Sequence, residues 1–363
     1  MKRTICLMLL AAALTAGQAF ADEPAPGPTL IEGGLDGYFN EYEYDGKYSV
    51  QENVSGLKLT VSETDPTQGK NASAVAVYGG FVGDGMNSTN NTILMTGGEV
   101  YSLAAAFTAW GDGSELSGNK VILTGGKVFS IMAASNYCES SGTLTGNHAV
   151  ITGGHVGGAD ASNLGHLWGG YSDTDIVARN NTVSLVGAGG SITVEGQEYQ
   201  GHAITINADI SAGTSNGTGN ALDIYGKDIT LGGGISGTQI MNFHLVDGLS
   251  DNTAVLMHMG MANLNLANVT TYGFDGSAVA NWAAYDGKSI MLLESNNGQI
   301  TGFGNPKEVE IMGADGATVA MATLGLTDGG KALALSNITP TPEPTTGVLS
   351  LLALAAFAGR KRK

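Results

Sequence analysis

Cysteine is nearly absent from this chain of 363 residues, which holds only Cys6 and Cys138. A framework of several disulfides, the usual support of small exported domains, is therefore excluded. Basic residues are scarce too, with 16 Lys and Arg against 33 Asp and Glu. So acidic a surface repels nucleic acid, and no nucleic-acid partner is expected. Because 42% of the residues are apolar and alternate regularly with polar ones, the sequence predicts a folded chain rather than a disordered one.

The motifs of common catalytic and cofactor sites are missing as well. The chain has no Gly-x-Gly-x-x-Gly after a strand, no Gly-x-Ser-x-Gly elbow, no His-Glu-x-x-His and no Cys-x-x-Cys. We therefore predict no cofactor and expect a protein that is not an enzyme. His148, His155 and His166 could in principle bind a metal. However, His148 and His155 stand at opposite ends of one extended segment, about 20 Å apart, so no metal site is predicted.

Carboxylates are the remaining candidates for catalysis, because several β-solenoid families act on polysaccharides with two or three acids in a groove. Asp173 and Asp175 project to the same side if the chain is extended there, and Asp209, Asp223 and Asp228 could approach them in later coils. Spacing alone assigns no pair as acid and base. Glycan cleavage therefore stays the alternative to a non-enzymatic role.

Four segments of similar sequence follow one another in the middle of the chain. They begin at Asn91, Asn119, Asn147 and Asn181, so the first three are 28 residues apart and the fourth follows after 34. The first three end in Gly-Gly. A repeat of this length is typical of stacked architectures, and the period-2 alternation of its apolar residues indicates strands. The sequence predicts an all-β fold, a parallel β-solenoid in which each coil buries its apolar face against the next.

The alternation also predicts which side chains lie inside. Eight apolar residues share one face and form the expected core: Ile93, Met95, Val121, Leu123, Ala149, Ile151, Val183 and Leu185. The opening Asn tolerates the left-handed conformation and Gly-Gly supplies positive φ, so both ends are interpreted as turns. Leu94, Ile122 and Val150 point outward. They are either an exposed apolar binding stripe or a surface that loops between the strands cover.

The N-terminus has the layout of a secretory signal peptide. Lys2 and Arg3 precede an apolar run from Ile5 to Leu14, and small residues at Ala19 and Ala21 predict cleavage before Asp22. Export removes Cys6 with the leader, so Cys138 would be the single remaining thiol. With the leader and the basic tail excluded, ten basic residues face 33 acids, a net charge of about −23.

The C-terminus joins Pro342, Glu343 and Pro344 to a 15-residue apolar run, residues 345–359, and four cations, Arg360, Lys361, Arg362 and Lys363. Such a run is about 22 Å long as a helix, short of the ~30 Å core of a bilayer, so a transient anchor fits better than a permanent one. The tail resembles the PEP-CTERM sorting signal. That resemblance implies export machinery, an exosortase-type enzyme that cuts near the motif, a Gram-negative envelope and association with exopolysaccharide.

A second pattern occurs within the repeats. Tyr78-Gly79-Gly80-Phe81 and Trp168-Gly169-Gly170-Tyr171 each place their second aromatic ten residues before a repeat Asn. These segments, alternating with the Asn-led strands over residues 71–195, are similar to the passenger repeats of autotransporter adhesins. The resemblance implies an adhesin-like, non-catalytic solenoid.

These observations divide the chain into a signal peptide (1–21), an acidic N-terminal cap (22–70), a repeat solenoid (71–236), a C-terminal β region (237–338) and a Pro-rich linker with a sorting helix and basic tail (339–363). We expect an exported surface or extracellular-matrix protein, in contact with the envelope membrane at least transiently and with exopolysaccharide or surface glycans. The alternatives are a polysaccharide-active enzyme on the same scaffold and a permanently anchored envelope protein.

Overall fold

The computed structural model describes residues 38–40, 53–61, 76–83, 85–108, 113–136, 141–172 and 176–341. The predicted signal peptide, the sorting tail with its helix, Cys138, Asp173 and Asp175 lie outside these residues. Strands dominate the described part, and its helical residues form two short 3-10 turns, Trp282–Tyr285 and Asp328–Gly330. In the same residues, no helix has the length and apolar character needed to cross a membrane. The prediction of an all-β fold is confirmed to this extent.

Most strands pair in parallel with the corresponding strand of the next coil, the arrangement of a β-solenoid. We name the resulting stacks columns A to D. A coil visits them in the order C, A, B and D. Column A contains Lys58–Val61, Thr92–Met95, Lys120–Leu123, His148–Ile151, Thr182–Val186, Ala221–Tyr225, Ile240–Val246, Thr271–Ala278 and Lys307–Met312.

Column B contains Ala76–Tyr78, Glu99–Ala104, Lys127–Met132, His155–Gly157 with Gly165–Trp168, Ile204–Ser211, Ile229–Leu231 with Ile235–Ser236, Leu256–His258 and Ile290–Ser295. Column C contains Val54–Ser55, Ser88–Thr89, Ser114–Ser117, Gly142–Thr145 and Ala178–Arg179. Column D contains Phe81–Val82, Phe107–Thr108, Ser135–Asn136 and Tyr171–Ser172. A further parallel pair joins Leu264–Asn265 to Ile300–Thr301.

Antiparallel strands flank the parallel stack at both ends. Tyr38–Asn40 pairs antiparallel with Ala76–Tyr78. At the other end, Thr318–Thr327 pairs with the last strand of column A, and Ala332–Pro340 pairs with Thr318–Thr327 and with the last strand of column B. This C-terminal meander therefore joins columns A and B into one continuous sheet and ends the parallel stacking.

The extent of the stack differs from the predicted boundaries. Val54–Ser55 and Lys58–Val61 already pair in parallel with the following coil, although the sequence placed residues 22–70 in a cap. Parallel pairing also continues beyond residue 237 through Ile240–Val246 and Thr271–Ala278. Pairing through backbone groups needs no repeated side chains, so the fold continues where the sequence repeat fades.

The core lies between columns A and B, and the alternation correctly predicted the part of it that column A supplies. All eight residues assigned to the inner face of column A are fully buried and belong to one apolar cluster. The strands are in register, since Ile93 pairs with Val121, Val121 with Ala149 and Ala149 with Val183. Each burial of a Val, Leu or Ile side chain stabilises the fold by about 1.5–3 kcal/mol. A separate small cluster fills the space between columns C and D.

The asparagines that open the column A strands form a buried ladder. Asn119 Nδ2 donates to Asn147 Oδ1 at 3.0 Å, and Asn147 Nδ2 donates to Asn181 Oδ1 at 2.9 Å. The same Oδ1 atoms accept the backbone N–H of the preceding Asn, and a second Nδ2 hydrogen bond reaches a backbone carbonyl of column C. The ladder runs through five completely buried residues, Asn91, Asn119, Asn147, Asn181 and Asn220.

The role predicted for these asparagines was therefore wrong. The left-handed residue is the one before each ladder Asn, with φ of 57° at Asn90, 67° at Gly118 and Gly146, and 53° at Asn180. The interpretation of Gly-Gly is confirmed for the second glycine, because Gly98, Gly126 and Gly154 have φ of 81°, 88° and 82°. A side chain with a Cβ would be strained at these three glycines.

We expect Asn147→Ala to destabilise the fold by about 2–4 kcal/mol, because it leaves buried partners in two neighbouring coils without hydrogen bonds. Urea unfolding followed by circular dichroism measures this change. Asn252→Ala is the matched control, since Asn252 is exposed and lies outside the ladder, and we expect it to change stability by less than about 0.5 kcal/mol. Equal stability of the two variants would contradict a structural role for the ladder.

Candidate functional site

The outward column Leu94, Ile122 and Val150 is covered rather than exposed. A β-hairpin formed by Ser191–Val194 and Gln197–Gln200 contributes Ile192 and Val194 to an apolar cluster with Ile122 and Val150. Ile122 and Val150 are 2% and 0% exposed, and Leu94 is half-buried against the same cluster. The binding-stripe interpretation is thereby corrected in favour of its alternative, a surface covered by a loop.

The tip of the hairpin is held by charge. Glu195 Oε2 lies 2.8 Å from Lys58 Nζ, and Glu195 Oε1 lies 3.0 Å from Lys120 Nζ. Hydrogen bonds from the two lysines hold the pKa of Glu195 at about 2. Lys58 and Lys120 belong to coils that precede the hairpin in the chain, and one coil separates them. The hairpin therefore reaches back across several coils and fastens them together.

His148 is enclosed at the same surface. Its Nε2 lies 2.7 Å from the Oγ of Ser184 in the next coil. Burial, together with the positive charge of Lys120, lowers the pKa of His148 to about 4. The imidazole is therefore neutral at physiological pH and serves as a hydrogen-bonding member of the covered surface.

The three histidines weighed as metal ligands make separate contacts. His155 Nε2 lies 2.7 Å from the carbonyl oxygen of Gly158, and the His166 ring packs on Trp168 with centroids 4.5 Å apart. His155 follows Glu99 and Lys127 in column B, in register. Across the described ranges, no three His, Cys, Asp or Glu side chains are grouped so that they could hold a metal ion.

The carboxylates named from the sequence lie at different places in the fold. Asp209 is on column B, where it pairs with His166 and accepts a hydrogen bond from the Gly234 N–H. Asp228 has φ of 60° and occupies a turn before Ile229–Leu231. Asp223 lies on the outer face of column A, within a polar cluster that spans three coils.

We take this polar cluster as the candidate functional site. It consists of five half-buried side chains on Ala221–Tyr225, Ile240–Val246 and Thr271–Ala278: Asp223, Tyr225, Asn242, His244 and Asp275. Strand register stacks Tyr225, His244 and Asp275 in one row and places Asp223 opposite Asn242 in another. The side chains therefore face one way because alternation along three in-register strands requires it.

Hydrogen bonds and ring stacking fix the geometry of the cluster. Asn242 Nδ2 donates to Asp223 Oδ1 at 2.8 Å, and His244 Nδ1 lies 3.0 Å from Asp275 Oδ2. The Tyr225 and His244 rings stack with centroids 3.8 Å apart and an interplanar angle of 4°. Each polar group is thus held by a neighbour from the next coil, which gives the surface a defined arrangement before any ligand binds.

The two carboxyl groups of the cluster differ in acidity. Burial raises the pKa of Asp223, against the opposing effects of Asn242 and His244. Burial acts in the same direction on Asp275, but hydrogen bonds from Ser277 and His244 outweigh it and lower the pKa of that group. Burial next to both acids raises the pKa of Tyr225. The surface therefore combines a firmly ionised carboxylate, a carboxyl that retains its proton more readily, and hydrogen-bonding groups of both kinds.

Sequence reasoning found only one member of this cluster. The sequence pointed to Asp223 but not to Tyr225, Asn242, His244 and Asp275. The last three lie where the repeat fades, and Tyr225 ends a strand that was not recognised as a copy of the repeat. One sequence signal could have located the first strand of the cluster: Gly219-Asn220 followed by the alternating run 221–225. It is a fifth copy of the Asn-led strand, 39 residues after Asn181 and without a Gly-Gly end.

Comparison with known proteins gives no relative: no family model, curated protein or solved structure matches the chain.

We expect the free energy of unfolding to fall as the pH drops from about 6.5 to about 4, because the folded state disfavours protonation of His148 and the unfolded state does not. The loss should amount to a few kcal/mol, at about 1.4 kcal/mol per pKa unit. Denaturant unfolding over this pH range measures it. His148→Gln should flatten this part of the profile, whereas His202→Gln, at an exposed position, should not. An unchanged profile in His148→Gln would refute this assignment.

Proposed function

We propose that this chain is an exported, non-enzymatic protein of the cell surface or extracellular matrix, with an adhesin-like or structural role. The observation that carries the proposal is the in-register stacking of strands around the buried asparagine ladder. Such a stack presents long columns of outward side chains on a backbone whose hydrogen bonds are made internally. This construction suits a protein whose work is to persist outside the cell and to present a surface.

In this proposal, the signal segments near the two ends of the chain determine where the protein is delivered. The leader ending at Ala21 directs the chain to export, and the segment from Pro342 to Lys363 resembles a PEP-CTERM signal. A sorting enzyme of the exosortase type then releases the protein from its transient membrane anchor. If the tail is not cut, the same chain is a permanently anchored envelope protein.

The polar cluster gives the proposal a contact surface for glycans. Hydroxyl groups of a sugar can donate hydrogen bonds to Asp275 and Asp223 and accept one from Asn242. An uncharged ligand can therefore satisfy the hydrogen-bonding groups of the cluster. The large excess of acids disfavours anionic polysaccharides. A neutral exopolysaccharide is therefore the partner that we propose.

One observation favours the enzymatic alternative. Asp223 and Asp275 stand two coils apart, about 10 Å along the stack at ~4.8 Å per strand, and their pKa values are displaced in opposite directions. Glycosidases divide the roles of acid and base between two carboxyl groups in this way. The alternative is thus a polysaccharide hydrolase with Asp223 as the protonated member.

Sorting predicts a shortened C-terminus. We expect the protein recovered from the surface or medium of its natural host to end near Pro342 and to begin at Asp22, as measured by intact mass and terminal sequencing. Glu343→Gln serves as a variant with an altered motif, and we expect it to accumulate uncut in the membrane fraction. Recovery of exported protein that still carries Lys363 would count against sorting and for a permanent anchor.

Binding and cleavage of glycans separate the non-enzymatic role from its alternative. We expect the protein to bind a neutral polysaccharide without releasing sugar, and Asp275→Asn to weaken that binding by about 1 kcal/mol or more, since a hydrogen bond to a charged group is lost. A glycan panel assayed for both binding and reducing-end release measures this. Asp286→Asn, an exposed acid outside the cluster, is the control. If the parent protein releases reducing sugar and Asp223→Asn does not, the hydrolase alternative is established instead.

A further inference from the structure

Three methionines occur at alternate positions within one short segment, Met257-His258-Met259-Gly260-Met261, at the end of the column B strand Leu256–His258. Met259 and Met261 are 38% and 84% exposed, and in the described part of the chain no other large apolar side chain is exposed. Elsewhere in the described residues such side chains are buried or half-buried. The exposure of two neighbouring thioethers is therefore a local property of this segment.

Strand alternation directs the segment's side chains to two sides. His258 points inward, is 2% exposed and places its Nδ1 3.0 Å from Ser295 Oγ. Met257 and Met259 point outward, and both sulfur atoms contact the same atom, Asn296 Nδ2, at 3.4 and 3.0 Å. The two thioether groups thus converge on one point of the surface, at which an amide N–H group now donates.

The backbone fixes this convergence. The Asn296 N–H donates to the carbonyl of His258 at 3.0 Å, and Asn297 Nδ2 donates to the carbonyl of Met259 at 2.8 Å. The neighbouring strand places Glu294 in register with Met257. Two sulfur atoms and a neighbouring carboxylate are therefore arranged on backbone that is held from the next coil, and a third, exposed methionine follows two residues after Met259.

We propose that Met257, Met259 and Met261 form a binding site for a soft monovalent cation, Cu(I) or its analogue Ag(I). Thioether sulfur is a neutral, polarizable ligand that selects Cu(I) over hard cations such as Mg²⁺ and Ca²⁺. Binding needs no deprotonation of the ligands, so the site retains its affinity at acidic pH. The negative charge of Glu294 and of the chain as a whole favours the cation further. The site is separate from the polar cluster and does not depend on the proposed function.

The test titrates Cu(I) into the full chain under anaerobic, reducing conditions, with bicinchoninate as the competing chelator. All proteins carry Cys6→Ser and Cys138→Ser, so that thiols do not contribute. We expect one Cu(I) per chain. The double variant Met257→Leu with Met259→Leu should lower the affinity by at least roughly 10- to 100-fold, since losing even a group that only orients a metal ligand costs that much and here two ligands are lost. Leu conserves the volume and apolar character of Met, so the fold should be retained.

The matched control is the double variant Met312→Leu with Met321→Leu, two half-buried methionines of the C-terminal strands. We expect it to bind Cu(I) like the parent protein, and circular dichroism checks that both double variants are folded. X-ray absorption at the copper edge should show sulfur ligands in the parent. The proposal is overturned if the parent takes up no Cu(I), or if the Met257 and Met259 variant binds it as tightly as the control.

Discussion

The buried asparagine ladder is the constraint on which the rest of this structure depends. Each of its three inner amides, Asn119, Asn147 and Asn181, accepts two hydrogen bonds and donates two. Asn147 alone therefore connects backbone and side chains of three successive coils. Leaving a buried polar group unpaired costs about 1–3 kcal/mol, so a slip of register by one residue would be penalised at every rung. The ladder thereby fixes which residues face inward, and the apolar core follows from it.

The fixed register of the buried strands also determines which side chains line up on the outer face. Because the strands of column A do not slip, Leu94, Ile122 and Val150 always lie in line, and a hairpin with matching apolar residues can cover them. Charge then fastens the tip of that hairpin to Lys58 and Lys120. The same rule lines up Tyr225, His244 and Asp275 farther along. Local order on the surface is thus a consequence of hydrogen bonding in the interior.

The sequence predicted those parts of the fold that repeat. Alternation within each segment identified the eight inner residues of column A, and the 28-residue spacing identified the stacking. The sequence did not reveal that the opening asparagines point inward, because a polar residue at the start of a strand suggested a turn. The hydrogen bonds that satisfy each buried amide come from neighbouring coils, so a single repeat does not show them. It left open what covers Ile122, since the covering hairpin comes from residues 191–200, far along the chain. The polar cluster was not predicted for a related reason: its members belong to coils of unequal length, so no constant spacing in the sequence links them.

This contrast between regular and irregular coils bears on where function resides. Along the ladder, the hairpin covers the outward surface, and Glu195 holds its tip to Thr92 and Lys120. His148 is engaged with Ser184 of the next coil. After Asn220 no further asparagine of the described residues extends the ladder, and from this coil onward the outer face carries the polar cluster and, on column B, the three methionines. A solenoid is stabilised mainly by contacts between neighbouring coils, so chemical variety in one region does not disturb the next. The regular coils therefore act as the scaffold, and the proposals for glycan and Cu(I) binding both fall on the coils that the repeat leaves free to differ.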